Sequence, residues 1–239
     1  MDSTIRESHS SEVNSVGLQA FTHIERNVTA IRNRIDAAAA RTGRNSEDVR
    51  LIAVTKSVGP SQVEALHACG VRAFGENRLP GVPDKQAMAP RETAEWHMVG
   101  HLQRRKAREV VGLFDWVDSI DRLKLAETLQ RQCEEQDRQL RVLLEVNVSG
   151  ESTKHGLAPE EVEGVLTAIR PLDRLSVEGV MTMAPLADDP EDVRPVFARL
   201  RELADDFGLP ERSMGMSNDF EVAVEEGATQ VRIGTALFV

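Results

Sequence analysis

A lysine closes the apolar run at residues 51–56, Leu-Ile-Ala-Val-Thr-Lys, and this is where the sequence first indicates chemistry. Lysine is rarely buried without a partner, so a lysine at the end of a predicted buried strand needs an explanation. Removal from water lowers the pKa of an ammonium group, and the neutral amine then attacks an aldehyde to form a Schiff base. For the strand alone, the commoner alternative is a Lys56 side chain that extends into solvent.

The segment 213–219, Ser-Met-Gly-Met-Ser-Asn-Asp, joins a predicted strand to a predicted helix through small residues. Ser217 or Asn218 is placed to cap that helix, whose free N–H groups would then face an anion. A helix cap without any ligand explains the same residues equally well.

The segment 231–235, Val-Arg-Ile-Gly-Thr, places Gly234 where the backbone can approach a ligand closely, with Arg232 and Thr235 beside it. Phosphate is a suitable ligand for such a segment, although a tight turn alone is equally consistent with it. A phosphate site opposite Lys56 is what a phosphorylated aldehyde such as pyridoxal 5′-phosphate (PLP) requires.

The composition is that of a soluble globular protein: 239 residues, of which 41% are hydrophobic and 28% charged. A net charge of −10 argues against nucleic acid as a partner, because phosphates demand a basic surface. No apolar run is long enough for a membrane span or a secretory signal. Cys69 and Cys133 show neither metal-ligand spacing nor a disulfide framework, so we expect a reduced, cytoplasmic protein.

Residues 1–15 are polar and aperiodic, and we expect them to be disordered. A long amphipathic helix is predicted next, from apolar residues three and four apart at Phe21, Ile24, Val28, Ile31 and Ile35. Gly43 is expected to end this helix. Because no linker or composition shift divides the remainder, residues 16–239 are predicted to form one domain.

From residue 50 onward, short apolar segments alternate with helical ones. The eight predicted strands are 51–56, 71–75, 96–100, 116–120, 141–148, 175–183, 213–217 and 230–234. Predicted helices include 61–68, 123–136, 159–169, 191–207 and 220–226. Several strands are continuously apolar, as expected when both faces of a sheet are covered. The pattern predicts an α/β fold, a single (β/α)8 TIM barrel, with an open doubly wound sheet as the alternative.

Polar residues collect at the carboxyl ends of these strands, where the active site of such a barrel forms. Loops are polar in most proteins, so this pattern alone is modest support for a site. His97 and His101 are four residues apart, which on a helix would suggest a pair of metal ligands. Gly100 lies between them in a strand-to-loop segment, and we therefore expect no metal site.

Seven motifs follow one another between about residue 50 and the end of the sequence. They are Val-Thr-Lys at 54–56, Phe-Gly-Glu-Asn at 74–77, Trp-His-Met-Val-Gly-His-Leu-Gln at 96–103, Val-Asp-Ser-Ile-Asp at 117–121, Glu-Gly-Val-Met at 178–181, Ser-Met-Gly-Met-Ser at 213–217 and Val-Arg-Ile-Gly-Thr-Ala at 231–236. In these motifs the chain resembles the pyridoxal phosphate homeostasis protein family. The resemblance implies the alanine racemase-like barrel of the fold-type III class of PLP proteins, with a long N-terminal helix and no second β domain.

By this resemblance, Lys56 would hold PLP as a Schiff base and Asn77 would lie near the cofactor ring. The residues implied around the phosphate are Ser217, Arg232, Gly234 and Thr235. No residue is assigned a catalytic role.

The sequence departs from the family pattern at a few positions. Thr55 and His155 stand where serine is common, and Arg78 stands where tyrosine is usual. Residues 79–83 are rich in proline and glycine where the family would have a helix. The loop after the second strand is therefore the least secure part of the resemblance.

Three functions are compatible with these residues. The first is binding and carriage of PLP in intracellular homeostasis, by a monomer whose candidate partners are apo PLP enzymes, with neither nucleic acid nor membrane involved. The second is a PLP-dependent amino-acid racemase or decarboxylase. Related racemases use a tyrosine as a second acid/base, whereas this sequence has no tyrosine and His97 is the substitute it offers. The third is a protein-interaction scaffold stabilised by the cofactor.

Overall fold

Helices and strands alternate along the computed structural model, which describes residues 21–151 and 153–239; the first helix is assigned from Thr4 and is described from residue 21 onward. The helices are α1 (Thr4–Arg41), α2 (Pro60–Ala68), α3 (Val82–Gln86), α4 (Ala107–Leu113), α5 (Leu123–Glu135), α6 (Val162–Ile169), α7 (Arg194–Asp206), α8 (Phe220–Glu225) and α9 (Thr235–Phe238). The strands are β1 (Arg50–Val54), β2 (Ala73–Glu76), β3 (Glu95–Met98), β4 (Trp116–Ile120), β5 (Leu140–Glu145), β6 (Leu175–Met181), β7 (Glu211–Ser213) and β8 (Gln230–Ile233). The expectation that residues 1–15 are disordered falls outside the described residues.

The strands form a closed parallel barrel in sequence order, from β1 to β8. β1 pairs with β2 on one side and with β8 on the other, and Ile52 lies beside Arg232 across this closing seam. Closure confirms the predicted (β/α)8 barrel and excludes the open sheet. Because every strand runs in the same direction, the carboxyl ends of all of them meet at one end of the barrel.

Helix α1 lies outside the barrel, where it packs against α2, α8 and α9. The predicted apolar stripe is buried there, at Ile24, Val28, Ile31 and Ile35. As predicted, the helix ends just before Gly43, whose φ of 69° is a conformation that glycine adopts at little cost. In the part of the chain that the structure describes, no helix combines the length and the apolar character needed to cross a membrane.

Strand bounds differ from the sequence-based expectation by a few residues, and the differences matter most at β7 and α3. Strand β7 was predicted at 213–217, but it ends at Ser213, because Gly215 has a φ of 92° and turns the chain out of the extended conformation. Helix α3 forms within a segment in which no helix was predicted. It starts after Gly81, whose φ is 83°, and Pro83 lies in its first turn, where a missing N–H costs nothing.

Charged side chains fill the amino-terminal end of the barrel. Glu95 forms ion pairs with Arg50 at 3.1 Å and with Arg141 at 2.8 Å, and both guanidinium groups lie over the Trp116 ring. These side chains pair with one another at that end of the barrel. A cavity lies at the opposite, carboxyl end of the barrel.

Candidate functional site

A cavity of about 850 Å³ opens at the carboxyl ends of the strands. All of the residues predicted from the sequence to bind a cofactor line it: Lys56, Asn77, Ser217, Arg232, Gly234 and Thr235. Four exposed apolar side chains stand at its rim, Met183, Leu186, Met216 and Val239. A concave site with apolar walls and a few convergent polar groups is typical of small-molecule binding.

Lys56 lies in a turn beyond the end of β1, because this strand ends at Val54 rather than at the lysine. The predicted strand 51–56 therefore extends too far, and the side chain of Lys56 is exposed, as in the commoner alternative for the strand alone. It nonetheless borders the cavity rather than the outer surface of the barrel. The amine is thus accessible to a small molecule that enters from solvent.

A buried ion pair anchors the residue that precedes Lys56. Lys85 Nζ, from α3, lies 2.6 Å from Glu76 Oε1 and donates a second hydrogen bond of 2.8 Å to the carbonyl of Thr55. The Thr55 hydroxyl donates to the same Glu76 oxygen at 2.6 Å. The backbone and the side chain of Thr55 are therefore both fixed, which limits where the Lys56 turn can lie.

Arg232 forms part of the cavity floor and is 5% exposed. Its two terminal nitrogens donate to Ser213 Oγ and to the carbonyl of Thr182, each at 2.8 Å. Burial lowers the pKa of the guanidinium, and the carboxylates Asp118, Asp219 and Glu145 act in the opposite direction. The floor of the cavity therefore carries a fixed positive charge.

Ser217 joins the loop after β7 to the start of α9. Its hydroxyl accepts a hydrogen bond of 3.3 Å from the N–H of Ala236, and Gly234 is the residue that precedes α9. The prediction that Ser217 or Asn218 caps the following helix is wrong. Asp219 holds the position before α8, and its carboxylate accepts from the N–H of Met216 because the turn at Gly215 brings that group back to it.

Two polar atoms in the cavity wall are buried with no hydrogen-bond partner among the described residues. They are Asn77 Oδ1 and Glu145 Oε2. Asn77 is packed tightly, since a Cβ added at Gly100 would lie 2.7 Å from the Asn77 Cβ. Buried polar atoms are nearly always paired, so these two orphaned atoms indicate a wall that fits a polar ligand.

Glu145 ends β5 and is 3% exposed. Its pKa rises from 4.5 to about 7 because burial disfavours the charged form and the carboxylate of Asp121 repels it, while Arg232 partly offsets both. This carboxyl group therefore titrates near neutrality inside the cavity. Glu145 was not predicted as a site residue, although it is a charged residue at the end of an apolar strand, the same pattern that indicated Lys56.

The sequence-based prediction for His97 is wrong, because this residue does not line the cavity. His97 was offered as an acid/base near the cofactor, but it points into the barrel, where Nδ1 lies 3.1 Å from both Asp118 oxygens and the ring stacks on Trp116. In a strand, alternate residues face opposite sides, and His97 falls on the interior side. The imidazoles that border the cavity are instead those of His101 and His155.

Comparisons with known proteins agree with this geometry. Residues 27–239 match the model of the alanine racemase N-terminal domain family. A pyridoxal phosphate homeostasis protein of Pseudomonas aeruginosa is 42% identical over 217 residues, covering 90% of this chain and 94% of the relative. One from Aquifex aeolicus is 40% identical over 217 residues, covering 88% of this chain and 95% of the relative.

Among solved structures, PipY of Synechococcus elongatus PCC7942 with PLP bound is similar at a TM-score of 0.77. The two sequences are 32% identical, and the match covers 90% of this chain and all of that one. The barrel, the cavity and these similarities define the class. The chain belongs to the alanine racemase N-terminal domain family and, within it, to the pyridoxal phosphate homeostasis proteins.

Proposed function

We propose that this protein binds PLP through a Schiff base on Lys56 and serves cytoplasmic PLP homeostasis by holding and releasing the cofactor, without turning over a substrate. The observation that carries the proposal is the single cavity in which Lys56 meets Asn77, Arg232 and the Ser217 loop. PipY, a relative that is 32% identical, has been solved with PLP bound, which supports the same ligand here.

Five of the lining residues have distinct roles in this proposal. The Lys56 amine condenses with the aldehyde, forming a C=N bond and releasing one water molecule. Ser217, Gly234 and Thr235 lie together where β8 meets α9 and hold the phosphate. Arg232, deeper along β8, supplies a positive charge from the cavity floor. When bound, PLP supplies an electrophilic aldehyde that captures amines, and the residues of the chain determine where that aldehyde is held.

Storage and release are favoured over turnover by the accessibility of the site. Lys56 and Thr235 are exposed, so the cofactor region stays open to water and to exchange. A reactive carbanion needs protection from water, which an open cavity does not provide. His97, which the sequence offered as an acid/base, is held by Asp118 away from the cavity lining.

One observation favours the second candidate, a racemase or decarboxylase. Glu145, with a pKa of about 7, borders the cavity together with His101 and His155. A group that titrates near neutrality is suited to moving a proton. The two functions therefore have to be separated by experiment.

The test is cofactor transfer set against turnover. Protein loaded with PLP is mixed with an apo-aminotransferase, and recovery of aminotransferase activity is followed over time. In parallel, a panel of amino acids is incubated with the loaded protein and analysed by chiral chromatography. We expect transfer without turnover. Turnover that disappears in Lys56→Ala would instead establish an enzyme, and Glu145→Gln would be the next variant to measure.

The cytoplasmic location and the monomeric state are part of the same proposal. Cys69 and Cys133 are both free, and free thiols suit a reducing compartment. Burial raises the pKa of Cys133 to about 11, so this thiol stays protonated and unreactive. Light scattering of the loaded and unloaded protein would test the monomer, and apo PLP enzymes are the partners to examine by pull-down.

A further inference from the structure

Two imidazoles and a carboxylate converge at the cavity rim, on the side formed by β3, β4 and β5. They belong to His101, Asp121 and His155, and each offers a ligand atom within 4.8 Å of the other two. His101 Nδ1 lies 3.2 Å from Asp121 Oδ2, and the His101 and His155 rings stack with their centroids 4.0 Å apart.

The loop that carries His101 is held by hydrogen bonds to the neighbouring strand. Ser119 Oγ donates to the carbonyl of Gly100 at 2.7 Å, and Arg122 donates to the carbonyl of Leu102 at 2.9 Å. Arg122 also pairs with Asp121 Oδ1, which leaves Oδ2 directed to His101. One hydrogen bond to Gly100 and one to Leu102, on either side of His101, therefore fix the backbone of this residue.

The segment after His155 returns to the end of β5. The N–H of Leu157 donates to the carbonyl of Glu145 at 2.7 Å, and Leu157 also forms a bridge with Val146. Gly156, at a φ of 117°, packs so closely that an added Cβ would lie 2.7 Å from the nitrogen of Asn147. The backbone beside His155 is thus fixed, and its imidazole is exposed.

We propose that His101, Asp121 and His155 form a binding site for a divalent transition metal, of which Zn²⁺ is the representative. Imidazole nitrogen and a carboxylate oxygen are a donor set that suits zinc and its neighbours in the periodic table, rather than magnesium or calcium. Three protein ligands leave a coordination position open, as in zinc sites that also bind a small molecule. This proposal revises the expectation of no metal site, and it stands whether or not Lys56 binds PLP.

The distances are compatible with coordination. Bonds of about 2.0–2.1 Å in a tetrahedral site place ligand atoms roughly 3.3 Å apart. The His101–Asp121 separation already has this value within about 0.1 Å, and rotation of the exposed His155 ring brings its nitrogen closer. Arg122 on the second oxygen of Asp121 supplies the outer hydrogen bond that orients a ligating carboxylate.

The neighbouring Glu145 is the independent observation that points to a cation. Its Oε2 atom is buried with no hydrogen-bond partner among the described residues. Glu145 lines the same cavity as the imidazoles of His101 and His155, so an unpaired acceptor lies in the cavity that would hold the cation.

The test is a Zn²⁺ titration of the full-length protein, stripped with EDTA and free of PLP, at pH 7.5, where histidine is largely neutral and can ligate. Isothermal titration gives stoichiometry and affinity, and Co²⁺ substitution gives a visible spectrum that reports coordination geometry. His155→Ser and His101→Asn are the variants, and His67→Asn, a histidine remote from the cavity, is the matched control. None of these readouts depends on cofactor binding.

We expect one Zn²⁺ per chain, with affinity about tenfold weaker or more in each variant and unchanged in the control. Anomalous scattering at the zinc edge should place the ion between the three side chains. The proposal is overturned if the wild-type protein binds no Zn²⁺, or if His155→Ser and His67→Asn have the same affinity as the wild type.

Discussion

Lys85 and Glu76 form a buried ion pair, with 2.6 Å between Nζ and Oε1, and the same ammonium group holds the carbonyl of Thr55. The pair links α3 and β2 to the turn that carries Lys56. A lysine whose own side chain is exposed is therefore positioned by another lysine that is buried. The segment that departs most from the family pattern, residues 79–83, leads directly into the helix that supplies this second lysine.

Lys85→Met should destabilise the protein, because it leaves the carboxylate of Glu76 buried without its cation. Breaking a buried pair by removing one partner costs about 3–5 kcal/mol. The double variant Glu76→Gln with Lys85→Met removes the charge as well and should recover part of this loss. Urea unfolding of the single and double variants measures the coupling free energy between the two residues.

The matched control for this measurement is the exposed pair of Lys106 with Glu109, separated by 3.6 Å. Lys106→Met should change the free energy of unfolding by less than about 1 kcal/mol. Equal effects of Lys85→Met and Lys106→Met would show that the buried pair has no special role.

Lys56→Ala should abolish covalent attachment of PLP while leaving the fold intact, because Lys56 is exposed. Borohydride reduction of the loaded protein, followed by peptide mass analysis, should label the peptide that contains Lys56. Lys154 is the internal control, since its Nζ lies beside the cavity loop and bonds the carbonyl of Met183. Labelling of Lys154 in place of Lys56 would refute the assignment.

Arg232→Gln should weaken PLP retention about tenfold or more, since a charge-assisted hydrogen bond contributes about 1.5–3 kcal/mol and about 1.4 kcal/mol is a factor of ten. The variant also loses hydrogen bonds to Ser213 and Thr182, so its stability is measured alongside. Arg91→Gln, which disrupts an ion pair with Asp115 at the other end of the barrel, is the control. Retention in the Arg232 variant equal to that of the control would argue against a role of Arg232 in binding.

Glu145→Gln should change how stability depends on pH. The carboxyl titrates near 4.5 when unfolded and at about 7 when folded, so its contribution is full below about pH 4.5 and is lost as the pH rises through 7. The variant lacks this loss. Its free energy of unfolding relative to that of the wild type should therefore rise between pH 5 and pH 8, by on the order of 3 kcal/mol. Urea midpoints at both pH values measure the gain. A constant difference between variant and wild type would mean that Glu145 is not titrating in this range.

The barrel was predictable because its strands are apolar over their whole length and its helices repeat with a clear period. That the six residues predicted to bind a cofactor line one cavity was predictable, because they lie near the carboxyl ends of strands whose order fixes their meeting point. The position of Lys85 beside Glu76 was not predictable, since α3 begins after a glycine with positive φ inside a proline-rich segment that has no helical pattern. The His101–His155 contact was equally hidden, because it depends on the path of a long loop rather than on local spacing.

The cavity straddles the seam at which β1 meets β8, with Lys56 following one strand and Gly234 following the other. These strands are far apart in sequence, so their pairing carries a large loop-closure cost and is slow to form. A ligand that bridges both sides recognises the closed barrel and not the open chain, and it stabilises the former by mass action. Such a ligand would therefore raise the free energy of unfolding, and a folding chain would bind it only after β1 and β8 had paired.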